Sequence, residues 1–212
     1  VKNIIVTNSP GLKYVDKTMI YGVNDNEFNK SNDFLISSSI CDATALAPIL
    51  KITDKLFQIK KGFVTTLHPW LGYQNLLDGP SKSYAVPGEI IDNYALGRGS
   101  PNVLIPKNTS AIKATYEVLP NLKNKFLANS FRIPTSIVSS ADVVLELTKS
   151  PNQDKLIKEI KNYKPKIISL NEEALVSSDF IQTDSSSFLD LRFLNILDNH
   201  LKFTLWYDNE WG

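Results

Sequence analysis

The order of strand-like and helix-like segments is the feature that most constrains the fold of this chain. In the second half, short runs rich in Val, Ile, Leu and Phe follow one another with few helices between them, and no regular strand–helix–strand alternation is present. Such an order is typical of α+β domains, in which helices pack on one face of an antiparallel sheet. The sequence therefore predicts an α+β fold with a mostly antiparallel sheet of about seven to eight strands.

Three segments have the apolar spacing of helices: residues 41–56, residues 110–119, which end before Pro120, and residues 151–163. Residues 72–100 are irregular, and a loop of this length usually serves function or an interface. The strand-like segments are 1–7, 17–23, 34–38, 63–68, 131–133, 137–147, 167–170, 175–180, 187–194 and 201–207.

The charge balance of the 212 residues excludes several classes of partner. Twenty-three Lys and Arg face 22 Asp and Glu, so the net charge of +1 predicts neither nucleic acid nor a membrane surface as partner. No apolar run approaches the ~18 residues of a membrane span. A single cysteine excludes an intrachain disulfide and fits a reducing compartment, which predicts a cytoplasmic protein.

The N-terminus, Val1 to Thr7, is strand-like from its first residue. It has no initiator methionine, no basic start and no small-residue cleavage site, so we do not expect a signal peptide. A chain that begins in this way is expected to be a segment of a longer protein.

Cys41 is the first candidate for chemistry, because it lies between the strand-like run 34–36 and the helix-like run that follows. At such a junction the helix N-terminus favours an anion and is expected to lower the pKa of a thiol. Cys41 is therefore a candidate nucleophile. The alternative is a small buried apolar residue, since free cysteine is among the most buried residue types.

His68 is the candidate base for Cys41, because it ends the apolar strand 63–68 and such a residue can reach a helix N-terminus across the sheet rim. An imidazole there would take the thiol proton and hold the thiolate. The alternative is a hydrogen-bonded rim histidine, and His200 reads as a solvated turn residue. One cysteine and two distant histidines lack the spacing of metal ligands, so no metal site is expected.

Other signals for ligand binding are weak. No glycine-rich phosphate loop or dinucleotide fingerprint is present. Arg132 is a lone cation in a strand, and it is either a surface or paired arginine or an anion clamp.

Eight short motifs, in order and spacing, resemble the catalytic half of glyceraldehyde-3-phosphate dehydrogenases. They are S-x-x-x-C-x-x-x-x-L-A-P at 37–48, T-T-x-H at 65–68, D-G-P-S at 78–81, I-P-x-x-T-x-x-x-K-A at 105–114, L-P-x-L at 119–122, F-R-x-P-T at 131–135, S-S-D-F at 177–180 and W-Y-D-N-E at 206–210. The resemblance implies two parts. Residues 1–36 would be the last strands of a nucleotide-binding domain, and residues 37–212 the catalytic domain.

The resemblance also implies roles for individual residues in a glycolytic type of aldehyde oxidation. Cys41 would attack the aldehyde to form a hemithioacetal, His68 would act as base, and hydride would pass to NAD or NADP, leaving a thioester. Asn209 matches the residue that orients the nicotinamide. Thr109, Ser110 and Arg132 fall at positions that bind the substrate phosphate and the attacking phosphate, although Ser110 stands where the family has glycine.

Departures from the family pattern reduce the number of phosphate-binding side chains expected at both anion sites. Ile40 and Asp42 replace hydroxyl residues beside the cysteine, and Leu71 and Tyr73 stand near the positions of a threonine and an aspartate after the histidine. The hypothesis that follows is a divergent member whose (phosphorylated) aldehyde is less phosphate-dependent, or whose acyl group passes to water or another acceptor. The resemblance further implies a homo-oligomer, commonly a homotetramer.

Two alternatives remain at this stage. One is a non-catalytic oligomerisation or interaction module, a pseudoenzyme. The other is a Cys–His ester or thioester hydrolase that needs no cofactor. Because no segment matches the family's glycine-rich turn, we expect the 212 residues alone to be inactive in NAD-dependent oxidation.

Overall fold

The computed structural model describes residues 2–8, 10–81, 88–90, 94–164 and 166–212. Its helices and strands follow in chain order: β1 (Ile4–Val6), β2 (Lys17–Thr18), β3 (Leu35–Ser37), α1 (Cys41–Phe57), β4 (Ile59–Pro69), β5 (Ile105–Lys107), α2 (Ala111–Val118), β6 (Phe126–Ile133), β7 (Ser139–Leu147), α3 (Gln153–Lys161), β8 (Ile168–Asn171), β9 (Ser187–Leu197) and β10 (His200–Tyr207). Parts of the predicted strand 1–7 and of the irregular segment 72–100 lie outside the described residues.

A seven-stranded sheet dominates the fold, with strand order β5-β6-β4-β7-β10-β9-β8. Strands β4 and β6 pair in parallel, as do β8 and β9, and the other four pairings are antiparallel. The predicted α+β fold with a mostly antiparallel sheet is therefore confirmed.

A second, smaller sheet precedes the large one. Its three strands have the order β1-β3-β2 and pair in parallel. Asn24 closes the turn after β2, since its side chain donates to the Thr18 carbonyl and accepts from the Ile20 amide. That the first 36 residues belong to a nucleotide-binding domain stays a prediction.

Helix α1 lies at the centre of the core and is buried over most of its circumference. It contacts α2, α3 and four strands of the large sheet, including β4 and β10. Small side chains at Ala43, Ala45 and Ala47, all fully buried, allow this close packing on several sides. The helix is thereby fixed, and so is the position of its first residue, Cys41.

One rim of the large sheet collects the ends of three strands close to the start of α1. His68 lies near the end of β4, Ser139 begins β7, and Tyr207 ends β10 directly opposite Ser139. All three side chains are buried. The topology therefore brings polar residues that are far apart in sequence to one place.

Two predicted strands differ in the structure. Residues 175–180 were predicted to form a strand, but Ser177–Phe180 is a 3-10 helix in which the Asp179 carboxylate accepts from the Val176 amide. Aspartate and serine compete for backbone groups in this way, and such local bonds replace strand pairing. The predicted strand 17–23 ends at Thr18, because the chain turns at Gly22, whose φ of +86° favours glycine.

Several strands are longer than predicted, and one strand is additional. Strand β6 begins at Phe126 rather than at Phe131, and Ile105–Lys107 forms an edge strand that was not predicted. The proline in this short strand obscured it in the sequence. An edge position tolerates proline, since only one side of the strand needs backbone donors.

Candidate active site

Cys41 is the first residue of α1, and its thiol is only partly accessible. Burial raises the pKa of Cys41 to about 12, and the neighbouring Asp42 carboxylate acts in the same direction. The thiol is therefore protonated at neutral pH in this structure. The expectation that the helix N-terminus lowers the pKa of the thiol is wrong here, because desolvation and an adjacent negative charge outweigh the helix.

Asp42 is the central charged group of the site, with its side chain only 6% exposed. The Tyr207 hydroxyl donates to Oδ1 of Asp42 over 2.6 Å, and Nε2 of His68 lies 2.8 Å from the same oxygen. Burial raises the pKa of Asp42, but its pairing with His68 and the Tyr207 hydroxyl outweigh burial and hold that pKa below its usual range. Asp42 is therefore ionised at neutral pH.

Both ring nitrogens of His68 face polar groups. Nδ1 lies 3.0 Å from the Ser139 hydroxyl, and Nε2 faces Asp42 without the alignment of a hydrogen bond. A ring nitrogen of His68, a carboxylate oxygen of Asp42 and Sγ of Cys41 all lie within 4.8 Å of one another. The structure thus brings Cys41 and His68 together and places Asp42 as a third member.

Asp42 and Ser139 are partners of His68, and Tyr207 is a partner of Asp42; the sequence predicted none of these contacts. Asp42 was noticed only as a group that would repel phosphate. Tyr207 lies within the W-Y-D-N-E motif, and its position opposite Ser139 follows from the pairing of β10 with β7. A reliable prediction of the register between β10 and β7 would have indicated that Ser139 and Tyr207 lie opposite each other.

Two of the seven non-glycine residues with a left-handed backbone in the described ranges lie beside this cluster. Ser39, two residues before Cys41, has a φ of 69°, and Val138, directly before Ser139, has a φ of 70°. A β-branched residue such as valine rarely adopts this left-handed conformation, which costs of order 1–3 kcal/mol. Strain of this kind is typical of positions that present functional side chains.

Two cations lie near the thiol. Arg132 and Lys107 both act on Cys41 electrostatically, in the direction that lowers its pKa. Burial lowers the pKa of Lys107, and the positive charge of Arg132 lowers it further. The two cations therefore lie close enough to act on each other as well as on the thiol. Lys107 was not singled out from the sequence, although it lies within the I-P-x-x-T motif.

The comparisons with known proteins agree on one family. The family model described as "Glyceraldehyde 3-phosphate dehydrogenase, C-terminal domain" matches residues 40–209. This chain belongs to the glyceraldehyde-3-phosphate dehydrogenase family.

Relatives that carry the name glyceraldehyde-3-phosphate dehydrogenase cover nearly all of the chain. The protein of Chlamydia pneumoniae is 36% identical over 213 residues, which cover 98% of this chain and 61% of the relative. The cytosolic protein of Chlamydomonas reinhardtii is 33% identical over 198 residues, which cover 91% of this chain and 55% of the relative. The chain thus spans between half and two thirds of the length of these relatives.

In this member of the glyceraldehyde-3-phosphate dehydrogenase family, Asn209 contacts the cluster, whereas the contact seen for Thr109 is local to its own helix. Asn209 accepts a long hydrogen bond of 3.5 Å from the Ser139 hydroxyl, which also contacts His68. Thr109 accepts from the Ala111 amide and so helps to start α2. Among the residues described, no hydrogen bond joins Thr109 or Ser110 to Cys41.

Within the described ranges of this family member, no helix is both long and apolar enough to cross a bilayer.

Proposed function

We propose that this chain is the catalytic domain of an oxidoreductase that oxidises a phosphorylated or similar aldehyde through Cys41. The observation that carries the proposal is the placement of Cys41 and His68 within 4.8 Å of each other, at the rim of the sheet and inside the segment that matches the family. A buried nucleophile beside a base is the arrangement that covalent catalysis requires.

In the first step the thiol proton of Cys41 passes to His68, Sγ attacks the aldehyde carbon, and His68 returns the proton to the carbonyl oxygen, which gives a hemithioacetal. Asp42 acts on this step in two opposite ways. Its carboxylate stabilises the imidazolium of His68, as the third residue of a triad does. The same carboxylate disfavours the thiolate of Cys41, because both carry negative charge.

In the second step His68 would take the hydroxyl proton of the hemithioacetal as hydride leaves its carbon, which would leave a thioester on Cys41. A bound NAD or NADP supplies the hydride acceptor, and Asn209 is the residue of this chain that would hold the nicotinamide amide. Asn209 fits this role, since its amide lies against Ser139 and hence beside His68. We propose that residues 1–212 do not turn over NAD by themselves, because no segment of their sequence matches the family's glycine-rich turn.

Arg132 would bind the anionic part of the substrate together with the neighbouring Lys107. Thr109 and Ser110, which the family resemblance assigns to phosphate binding, would contribute further ligands. Nη1 of Arg132 donates to the Pro69 carbonyl, while its buried Nε has no partner among the residues described. An attacking phosphate beside Cys41 would meet the Asp42 carboxylate at a cost of about 1 to 4 kcal/mol at close range. We therefore propose that the acyl group leaves to water or another acceptor with weak dependence on phosphate.

We propose that the chain forms an oligomer through the face of the large sheet on which no helix packs. Phe63 on β4 and Leu127 on β6 are paired neighbours there, 53% and 70% exposed, and Leu67 and Phe193 add to the exposed apolar surface. Large exposed apolar patches are typical of interfaces.

A cytoplasmic location is proposed because the only cysteine is free and several relatives are named cytosolic.

The activity is tested in a chimera in which residues 1–212 replace the matching segment of the Chlamydia pneumoniae relative. We expect NADH formation from glyceraldehyde 3-phosphate, abolished by Cys41→Ser and reduced about 10²- to 10⁴-fold by His68→Gln. His200→Gln is the matched control and should have no effect. A folded, NAD-binding chimera without activity, or an active Cys41→Ser variant, would contradict the proposal.

The fate of the acyl group is tested in the same chimera by titration with phosphate. We expect the rate of NADH formation to change little with phosphate concentration and the product to be mainly the free acid. Saturation at low phosphate with an acyl phosphate as product would show the usual phosphorylating reaction instead.

A non-catalytic interaction module is the second candidate, and the raised pKa of the Cys41 thiol, about 12, favours it. Exposure of the 212-residue chain to p-nitrophenyl acetate separates the two. Rapid acylation of Cys41, slowed in His68→Gln but not in His200→Gln, supports catalysis, and equally slow acylation in all three supports the module. Repeated turnover of the ester would point to a hydrolase.

A further inference from the structure

Ser139 supplies a hydroxyl to the Nδ1 side of His68, and the steps of the proposed reaction give this hydroxyl no role. Its Oγ lies 3.0 Å from Nδ1, an ordinary hydrogen-bond distance. Ser139 is fully buried at the start of β7, which pairs with β4 on one side and with β10 on the other. The hydroxyl is therefore held firmly against the imidazole.

The neighbours of Ser139 decide the direction of this hydrogen bond. A serine hydroxyl has one proton to donate and two lone pairs that accept. Oδ1 of Asn209 accepts that proton over 3.5 Å, and the Tyr207 oxygen can only accept it, because the Tyr207 proton is donated to Asp42. Burial raises the pKa of Tyr207, and the hydrogen bond with Ser139 acts in the opposite direction, as a bond donated to the Tyr207 oxygen does. Ser139 thus presents a lone pair to Nδ1 of His68, and Nδ1 carries a proton.

The carboxylate of Asp42 lies at the other nitrogen of His68, with Oδ1 2.8 Å from Nε2. In a Ser-His-Asp triad the carboxylate accepts from Nδ1–H, so the arrangement here is reversed. A carboxylate at Nε2 attracts the single proton of a neutral imidazole to Nε2, and a protonated Nε2 cannot take the thiol proton of Cys41. Ser139 opposes this attraction, because it rewards the proton on Nδ1.

We propose that Ser139 is a positioning residue that keeps the proton of neutral His68 on Nδ1, so that Nε2 is the nitrogen that takes the thiol proton of Cys41. The inference rests on the proposed function, in which His68 is the base. After the transfer, the imidazolium donates to Ser139 from Nδ1 and faces Asp42 with Nε2. Return of the proton from Nε2 to the substrate oxygen restores the starting tautomer.

The ionisable groups around His68, among the residues described, lie on three elements. Cys41 and Asp42 begin α1, Tyr207 ends β10, and Arg132 is at the paired position of β6. Ser139 is the uncharged member of this group, so its contribution does not depend on pH. The proton on Nδ1 is therefore expected to stay in place while Nε2 gains and loses its own.

The tautomer is measured by ¹⁵N nuclear magnetic resonance on the reduced 212-residue chain labelled in histidine. The chain contains two histidines, so His200→Gln leaves the ring signals of His68 alone. We expect Nδ1 to keep the chemical shift of a protonated nitrogen across the neutral pH range, and any nitrogen that loses its proton to be Nε2. A parent chain in which Nδ1 loses its proton and Nε2 keeps one would overturn the proposal.

Ser139→Ala removes the acceptor, and we expect the proton of the neutral ring to move to Nε2, where Asp42 accepts it. Ser139→Thr keeps a hydroxyl and should keep the proton on Nδ1. Ser140→Ala is the matched control, because the buried Ser140 hydroxyl donates to the Leu205 carbonyl on the opposite face of the strand. Circular dichroism checks the fold of each variant. The parent tautomer in Ser139→Ala, or the same change in Ser140→Ala, would overturn the proposal.

Kinetics in the chimera with the Chlamydia pneumoniae relative give a second readout. Ser139→Ala should lower kcat for NADH formation about 10²-fold, as loss of a general base does, and should change KM for the aldehyde little. Ser139→Thr should retain most of the activity. The resonance experiment needs neither NAD nor aldehyde, which separates the two proposals. An inactive parent chimera would contradict the dehydrogenase proposal alone, whereas an active chimera that Ser139→Ala leaves unchanged would contradict the role of Ser139 alone.

Discussion

Asp190 on strand β9 and Asp42 on helix α1 are both buried, but they have different roles. Asp190 is fully buried, and its carboxylate accepts from Nε and Nη2 of Arg192 over 2.8 and 2.6 Å and from the Trp206 indole over 3.0 Å. Asp42 is buried to a similar degree, but its partners are the Tyr207 hydroxyl and His68, with Cys41 adjacent.

The difference lies in what the partners can do. Arginine stays protonated and tryptophan is only a donor, so the Asp190 cluster has one protonation state and holds strand β9 against β10. Histidine and cysteine exchange protons, so the Asp42 cluster has several states. A buried carboxylate is thus a structural group or a reactive group according to its partners, and not according to its burial.

The largest expected effect is on stability, from Asp190→Ala. This change leaves the Trp206 indole without its acceptor and the Arg192 guanidinium with only the Leu175 carbonyl, and we expect a loss of about 2 kcal/mol in the free energy of unfolding. Urea denaturation measures it. Asp184→Ala, which removes an exposed ion pair with Lys166, is the matched control and should change stability far less, because exposed ion pairs contribute little. Equal losses of stability in the two variants would contradict a structural role of Asp190.

A smaller effect is expected on the reactivity of Cys41, from Asp42→Asn. Removing the adjacent negative charge lowers the pKa of the thiol, although burial, the larger cause, remains. We expect alkylation by iodoacetamide at pH 8 to become about tenfold faster, which corresponds to one pKa unit. Asp190→Asn should leave the alkylation rate unchanged. An unchanged rate in Asp42→Asn would mean that Asp42 does not act on the thiol.

The smallest expected effect is on stability in acid. The pKa of Asp42 is lower in the folded chain than in the unfolded chain, so its ionised form stabilises the fold above about pH 4. This contribution is lost as the pH falls through the folded-state pKa. Asp42→Asn should therefore show a shallower loss of unfolding free energy between pH 5 and pH 2. A slope identical to that of the parent chain would contradict the shift.

The sequence predicted the helices and strands that carry the site residues better than it predicted the contacts between those residues. The amphipathic and apolar patterns placed the three helices within a few residues, and the long strand before His68 was recognised. The 3-10 helix Ser177–Phe180 was mistaken for a strand, because a short apolar run with polar neighbours fits either structure. The pairing of His68 with Asp42 and Ser139 could not be read, since it depends on contacts between strands and a helix distant in sequence.

By itself, the sequence determined the fold class, the family and the two residues on which the proposed chemistry rests, because periodicity and ordered motifs are local properties. Only the tertiary structure decided the state of Cys41. The fold buries the thiol and sets it beside an ionised Asp42, and these two effects raise its pKa to about 12. Burial and through-space charge depend on which surfaces pack together, and no pattern along the chain records that.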